Sequence, residues 1–281
     1  MRIVYPRKAL AIACTLAVSS LMALAQQAPV PSQFPPKLSP EQAAAAQKAH
    51  EEQLHNDWAN LSRYRAENQK LSPPAPSESR VVFMGDSIME GWGRHRTPPP
   101  PDAVEFFPGK PYINRGISGQ TTPQMLVRFR QDVIDLKPKV VVILAGTNDL
   151  AENTGHMELS DTEANIQSMS DLAVGNGIRV VLCSVLPAKA FWWHPGIDPT
   201  EKIVELNTWL RRYAETKGFP YVDYYKSLAD SDRTLPTALS RDGVHPNGKG
   251  YTIMAPLAQK GIDEALSQGS APVPSGSGQM R

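Results

Sequence analysis

The chain has 281 residues, and its 29 lysines and arginines against 28 aspartates and glutamates leave a formal net charge of +1. That length suits one large domain with appendages, and the near-balance of charge excludes the strongly basic footprint of a nucleic-acid-binding protein. Cys14 and Cys183 are the two cysteines.

Residues 1–25 have the layout of an export signal: basic Arg2, Arg7 and Lys8, an apolar run from Ala9 to Leu24, and Ala23-Leu24-Ala25 as a small-x-small cleavage site. The run is short for a transmembrane anchor and ends without a stop-transfer cluster. A lipoprotein reading through Cys14 is weaker, because Ala11-Ile12-Ala13 lacks a large residue and the apolar stretch continues past the cysteine. Cleavage after Ala25 removes three positive charges, leaves a net of −2, and makes Cys183 the sole cysteine, so no intrachain disulfide can form. Residues 26–40 are rich in Pro and Gln and read as a flexible leader. Residues 41–72 read as a helical extension whose stripe of Leu54, Trp58, Leu61 and Tyr64 packs on the main domain. The tail 268–281 is Gly, Ser and Pro, a disordered composition.

Between them, residues 73–267 alternate strands and helices. Val81–Met84, Val140–Ala145 and Val180–Val185 are continuous apolar runs, as parallel strands buried on both faces require. Tyr112-Ile113 and Tyr221-Val222 read as shorter strands. Thr122 is a cap with Pro123 at the first helical position, ahead of Met125, Leu126, Phe129 and Val133. Ser160 and Glu163 form a capping box before Ile166, Met169 and Ala173. Asp198 or Thr200 opens a helix carrying Ile203, Leu206, Leu210 and Tyr213, stopped at Gly218. A last helix runs from about Gly250 to Leu266, with Pro256 expected to shorten or kink it. The pattern predicts an α/β domain, a three-layer α/β/α sandwich around a central, mostly parallel, five-stranded sheet.

Short polar clusters follow the apolar runs: Gly85-Asp86-Ser87, Asn114-Arg115-Gly116, Gly146-Thr147-Asn148-Asp149 and, near the end, Asp242-Gly243-Val244-His245. In a parallel sheet, ligands bind beyond the carboxyl ends of the strands. A serine hydroxyl needs a base to take its proton, and the base needs a third group to fix its tautomer. Ser87 supplies the hydroxyl, His245 the imidazole, and Asp242, three residues earlier, the carboxylate. His50 and His55 fall in the N-terminal helix, while His95 and His156 fall in loops. His194 is the rival base but has no carboxylate immediately before it. Preorganised donors for an oxyanion come from the Ser87 and Gly116 N–H groups and the Asn148 amide. Asp86 and Asp149 could be a carboxylate pair for glycoside cleavage, but ordering their own turns is the better account of both. Arg115 either touches substrate or pairs with a surface carboxylate.

The combination resembles the SGNH (GDSL-type) esterase and acylhydrolase family from about Arg80 to Leu266, with Ile88 where the family name has Leu. It is most similar to the platelet-activating-factor acetylhydrolase-like branch. The resemblance implies a flavodoxin-like arrangement, Ser87 as nucleophile, Asp242 and His245 completing a triad, Gly116 and Asn148 as oxyanion donors, and a preference for short acyl groups. The expected activity is hydrolysis of short-chain, acetyl-type carboxylic esters through an acyl-enzyme, with no metal or other cofactor. The expected partners are small-molecule, lipid or carbohydrate esters, with no nucleic acid and no stable membrane anchor. The expected location is periplasmic or extracellular. Rivals are an O-acyltransferase using the same site and a non-catalytic carbohydrate-binding protein. Phe191, Trp192 and Trp193 follow the fourth strand and either line a substrate pocket or tuck against the domain. Trp92 and Cys183 read as packing, and the Pro98–Pro101 run as a stiff surface loop.

Overall fold

A computed structural model describes residues 39–93 and 102–268. The export signal, most of the leader, His95, the Pro98–Pro101 run and the tail beyond 268 lie outside the described residues. Five strands form the centre: β1 (Val81–Gly85), β2 (Tyr112–Gly116), β3 (Val140–Leu144), β4 (Arg179–Cys183) and β5 (Tyr221–Val222). Their order is β2-β1-β3-β4-β5 and every pairing is parallel. This is the flavodoxin-like order, in which the crevice for ligands opens where the winding reverses, between β1 and β3.

β1 and β3 are buried at every position, which accounts for their unbroken apolar sequence. Alternate side chains go to opposite faces. Val82, Met84, Val141 and Ile143 pack with residues of α4 (Thr122–Asp132), α6 (Leu159–Gly175) and α7 (Thr200–Lys217). Val81, Phe83, Val140 and Val142 pack with α3 (Ser87–Gly91), α8 (Tyr224–Leu228) and α9 (Gly248–Ser267). The register aligns Gly85 with Gly116 on one side and Leu144 on the other, so three chain segments leave the sheet side by side. The short α5 (Thr147–Leu150) follows β3 through Gly146. There φ is +119°, and a β-carbon would lie 2.7 Å from Leu206 Cδ2, so only glycine makes that turn.

Four local expectations need correction. The N-terminal extension is two helices, α1 (Pro40–Asn56) and α2 (Arg65–Lys70). The Asp57 carboxylate accepts the Leu61 and Ser62 N–H groups at 2.7 and 2.8 Å, and Asn60 sits in the left-handed region, so the helix cannot continue. From that stripe Tyr64 is buried, Leu54 and Leu61 are half-buried, and Trp58 is exposed. α4 is capped by Thr121, because the Thr122 N–H and hydroxyl are both spent on the Asp149 carboxylate. α6 begins at Leu159 with Glu158 as its cap residue and no side-chain cap bond, so Ser160 lies inside the first turn. Pro256 does not shorten α9, which runs the full 20 residues. Pro256 lies on the exposed face, where water can satisfy the carbonyl it leaves without an N–H.

Candidate active site

Ser87 is the first residue of α3, so its side chain stands at the carboxyl end of β1 with the Asp86 carboxylate capping the helix through the Ile88 N–H at 2.9 Å. Its Oγ lies 2.8 Å from His245 Nε2. His245 Nδ1 lies 2.7 Å from Asp242 Oδ2. The other Asp242 oxygen accepts the backbone N–H groups of Val244 and His245 at 3.0 and 2.8 Å. The Ser240 hydroxyl donates to the His245 carbonyl at 2.7 Å. The turn is therefore fixed from both ends, and the imidazole points at the serine. With Nδ1–H donated to Asp242, Nε2 is the bare nitrogen and accepts from Ser87.

Burial opposes ionisation of Asp242, but the hydrogen bond and charge of His245, with the two backbone N–H groups, hold its carboxyl well below the usual carboxylate range. Burial pushes the other way at His245, yet the Asp242 hydrogen bond and charge, helped by Asp86, raise its imidazole above the ordinary histidine value. Asp86 is fully buried, and burial pushes its carboxyl up to about 6, opposed by the Ile88 N–H and the His245 charge and reinforced by Asp149. Burial likewise raises Asp149 to about 6, against its hydrogen bonds from Thr122 and Thr162. Asp86 thus orders its own turn as the sequence indicates. Asp149 does something else: it ties α5 to the starts of α4 and α6.

Gly116 packs directly against α3. A β-carbon there would lie 2.2 Å from the Glu90 nitrogen and 2.7 Å from the Asp86 carbonyl oxygen. Glycine is required so that the helix bearing Ser87 can settle onto β2. Gly116 is buried, and its N–H donates to Asn114 Oδ1 at 2.9 Å. The Asn148 amide donates to the Gln120 carbonyl at 3.0 Å, and its oxygen accepts from Asn153 Nδ2 at 2.9 Å. One amide nitrogen carries two hydrogens, so Asn148 keeps a second donor beyond that bond.

The aromatic segment after β4 divides. Phe191 is 1% exposed and belongs to the core, which corrects its reading as a substrate contact. Trp192 is 57% exposed. Trp193 lies beside His245, the two rings 6.0 Å apart, with its indole N–H donated to Asn153 Oδ1 at 2.8 Å. His194 points Nδ1 at the Ala151 carbonyl, 2.6 Å away, and so is engaged elsewhere. Arg115 faces the N-terminal extension: its guanidinium meets Asn68 Oδ1 at 2.7 and 3.0 Å, covers the Tyr64 ring, and stands 3.6 Å from Glu67. Trp92 packs among Phe83, Phe106, Phe107 and Tyr251. The Cys183 thiol is buried, which pushes it up to about 12 and leaves it an unreactive core residue.

Arg128 escapes a sequence reading altogether. It is fully buried on α4, within hydrogen-bonding reach of the Gly85 carbonyl (3.1 Å), the Arg115 carbonyl (2.8 Å), Asp132 Oδ2 (3.1 Å) and Gln120 Oε1. It clamps the ends of β1 and β2 beneath the serine. Its one visible signal is a cation between Met125 and Phe129 on an apolar helix face. Among the described residues no group of three His, Cys, Asp or Glu side chains has the arrangement of a metal site. Nor is any described helix long and apolar enough to cross a membrane.

Known proteins share this fold and these sequence blocks. A family model described as the GDSL-like lipase/acylhydrolase family matches residues 83–253. The structure of a GDSL-like lipase from Bacteroides thetaiotaomicron is 46% identical with a TM-score of 0.70, covering 75% of this chain and 100% of that one. An acetylxylan esterase of Xylanibacter ruminicola is 29% identical over an alignment of 227 residues that covers 69% of this chain and 46% of that protein. This chain therefore spans about half the length of that relative. Platelet-activating factor acetylhydrolase IB subunit alpha2 of Rattus norvegicus is 33% identical over 91 residues, 32% of this chain and 37% of its own length.

Proposed function

The chain belongs to the GDSL-like lipase/acylhydrolase family, and we propose that it is an exported serine esterase that removes short, acetyl-type acyl groups from carboxylic esters. The observation that carries this reading is the continuous chain from Ser87 Oγ through His245 to Asp242, with contacts of 2.8 and 2.7 Å. Ser87 Oγ attacks the ester carbonyl as His245 Nε2 takes its proton. Asp242, ionised throughout, holds the imidazole in the tautomer that leaves Nε2 bare and stabilises the imidazolium that forms. The tetrahedral oxyanion is received by the Ser87 N–H and the second hydrogen of the Asn148 amide, while the Gly116 N–H, assigned the same part from the sequence, is held by Asn114 Oδ1. His245 then gives its proton to the departing alcohol. Water, activated by the same nitrogen, cleaves the acyl-enzyme. Export rests on residues 1–25, whose basic start, apolar run and Ala23-Leu24-Ala25 ending fit a cleaved signal. Acetylated carbohydrate is the favoured substrate class, supported by the acetylxylan esterase relative.

The test is turnover of nitrophenyl esters from acetyl to dodecanoyl, with fluorophosphonate labelling of the native enzyme and of Ser87→Ala. Fast acetyl turnover falling with chain length, and labelling abolished in Ser87→Ala, is the expected result. Absence of turnover across the series together with absence of labelling overturns it. Product analysis with an acceptor sugar present separates hydrolysis from acyl transfer.

A further inference from the structure

A cavity beside Trp193 is built in part by residues that the family match does not include. It has a volume of about 450 Å³ and lies between the N-terminal segment 47–60, the loops 117–120, 152–154 and 193–194, and Gln124 of α4. That size is within the roughly 300–1,000 Å³ of small-ligand sites. Trp193 lines it, and the Trp193 ring stands 6.0 Å from that of His245. One wall includes Trp58, 40% exposed, and Asn60, whose φ of +52° marks the break between α1 and α2. Both precede the matched residues 83–253. The wall is pinned by backbone: Gln124 and Gln120 donate to the Trp58 and Ala59 carbonyls, each at 2.7 Å.

The lining states what it would bind. It includes six carboxamides and two indoles but no lysine or arginine, and Glu152 is its one carboxylate. A phosphate headgroup needs cationic or clustered N–H donors and would meet Glu152 instead. A long acyl chain needs mostly apolar walls, which this cavity lacks. A carboxamide offers a donor and an acceptor together, as does a sugar hydroxyl, and an indole face covers the C–H face of a sugar ring. The Asn60 side chain makes no hydrogen bond among the described residues, so its donor and acceptor are both available to a ligand.

We propose that this cavity is the subsite for the saccharide part of the ester, with Trp58 and Asn60 of the N-terminal extension as specificity-determining residues. The inference deepens the esterase reading and rests on it, but its test is a binding measurement that does not depend on turnover. Ser87→Ala protein is titrated with xylotetraose, and separately with lysophosphatidylcholine, by calorimetry and tryptophan fluorescence. Xylotetraose binds and changes the fluorescence. Adding Trp58→Ala weakens binding about tenfold, and adding Asn60→Gly, which keeps the left-handed backbone, weakens it about threefold. Far-ultraviolet circular dichroism establishes that each variant is folded. Absence of xylotetraose binding, equal binding by both added variants, or binding of lysophosphatidylcholine in its place overturns the proposal. A native enzyme that binds xylotetraose but leaves nitrophenyl acetate and fluorophosphonate untouched sinks the esterase reading while the subsite stands.

Discussion

Replacing Asp242 by asparagine probes the proposed machinery at its narrowest point. The carboxamide oxygen of the Asp242→Asn variant can still accept the Val244 and His245 N–H groups that Asp242 Oδ1 holds at 3.0 and 2.8 Å, so the turn survives. The NH2 group then faces His245 Nδ1, where the carboxylate stood at 2.7 Å. Two donors cannot share that contact, so the imidazole proton moves to Nε2, which then donates to Ser87 instead of accepting from it. The equivalent change in a serine protease triad costs about 10⁴ in kcat, or ~5.4 kcal/mol at 1.36 kcal/mol per decade. A second signature follows from charge. Asp242 raises the imidazole against the opposing effect of burial. In the native enzyme activity should therefore rise with pH through a midpoint above the ordinary ~6.5 of histidine, because the base works only when neutral. In Asp242→Asn the residual activity should rise at a lower pH. The measurement is kcat/KM on nitrophenyl acetate from pH 5 to 9, with near-ultraviolet circular dichroism to confirm the fold. A variant keeping a tenth or more of native activity, with an unmoved midpoint, would refute the role given to Asp242.

Three further outcomes are expected. Arg128→Met leaves the Gly85 and Arg115 carbonyls and Asp132 short of a buried donor. Breaking a buried pair costs ~3–5 kcal/mol, or a fall in Tm of roughly 6–20 °C for a domain of this size; calorimetry showing less than about 3 °C would contradict it. Gly116→Ala forces α3 to move, since its β-carbon would sit 2.2 Å from the Glu90 nitrogen. Displacing Ser87 by an ångström should lower kcat about 10²-fold, measured on nitrophenyl acetate; unchanged kcat would show that α3 does not position the nucleophile. Asp86 has a carboxyl raised to about 6 in the folded state, against ~3.9 unfolded. The native state then holds the extra proton between those values, so stability is full below about pH 4 and falls as pH rises to about 6, by ~3 kcal/mol. In Asp86→Asn that fall should shrink, as read from urea unfolding at pH 4.5 and 7.5, and an identical fall would disprove the assignment.

What the sequence disclosed was chemistry of short range. Ser87 beside a strand end, and Asp242 three residues before His245, declare themselves because each pairing of residue types makes sense within one turn. The sheet was legible for a related reason: strands covered on both faces, as β1 and β3 are, must be apolar at every position. Long-range polar contacts were not legible. Nothing near Thr122 announces that Asp149 takes its N–H and hydroxyl and so moves the cap to Thr121. Arg128 looks misplaced until the strand-end carbonyls above it are seen. Phe191 and Trp193 are two residues apart in one aromatic run, yet one enters the core and the other flanks His245. The break at Asp57–Ser62 hid behind the stripe of Leu54, Trp58, Leu61 and Tyr64, which keeps helical spacing through it, while a side chain capping its own downstream backbone gives no periodic signal.

Ser87 and His245 meet across 158 positions of chain. During synthesis the hydroxyl-bearing half of the molecule is complete long before the imidazole has been made. On the proposed mechanism, a growing or prematurely ended polypeptide therefore carries an inert serine, and the reactive pair comes into being only when the final stretch docks.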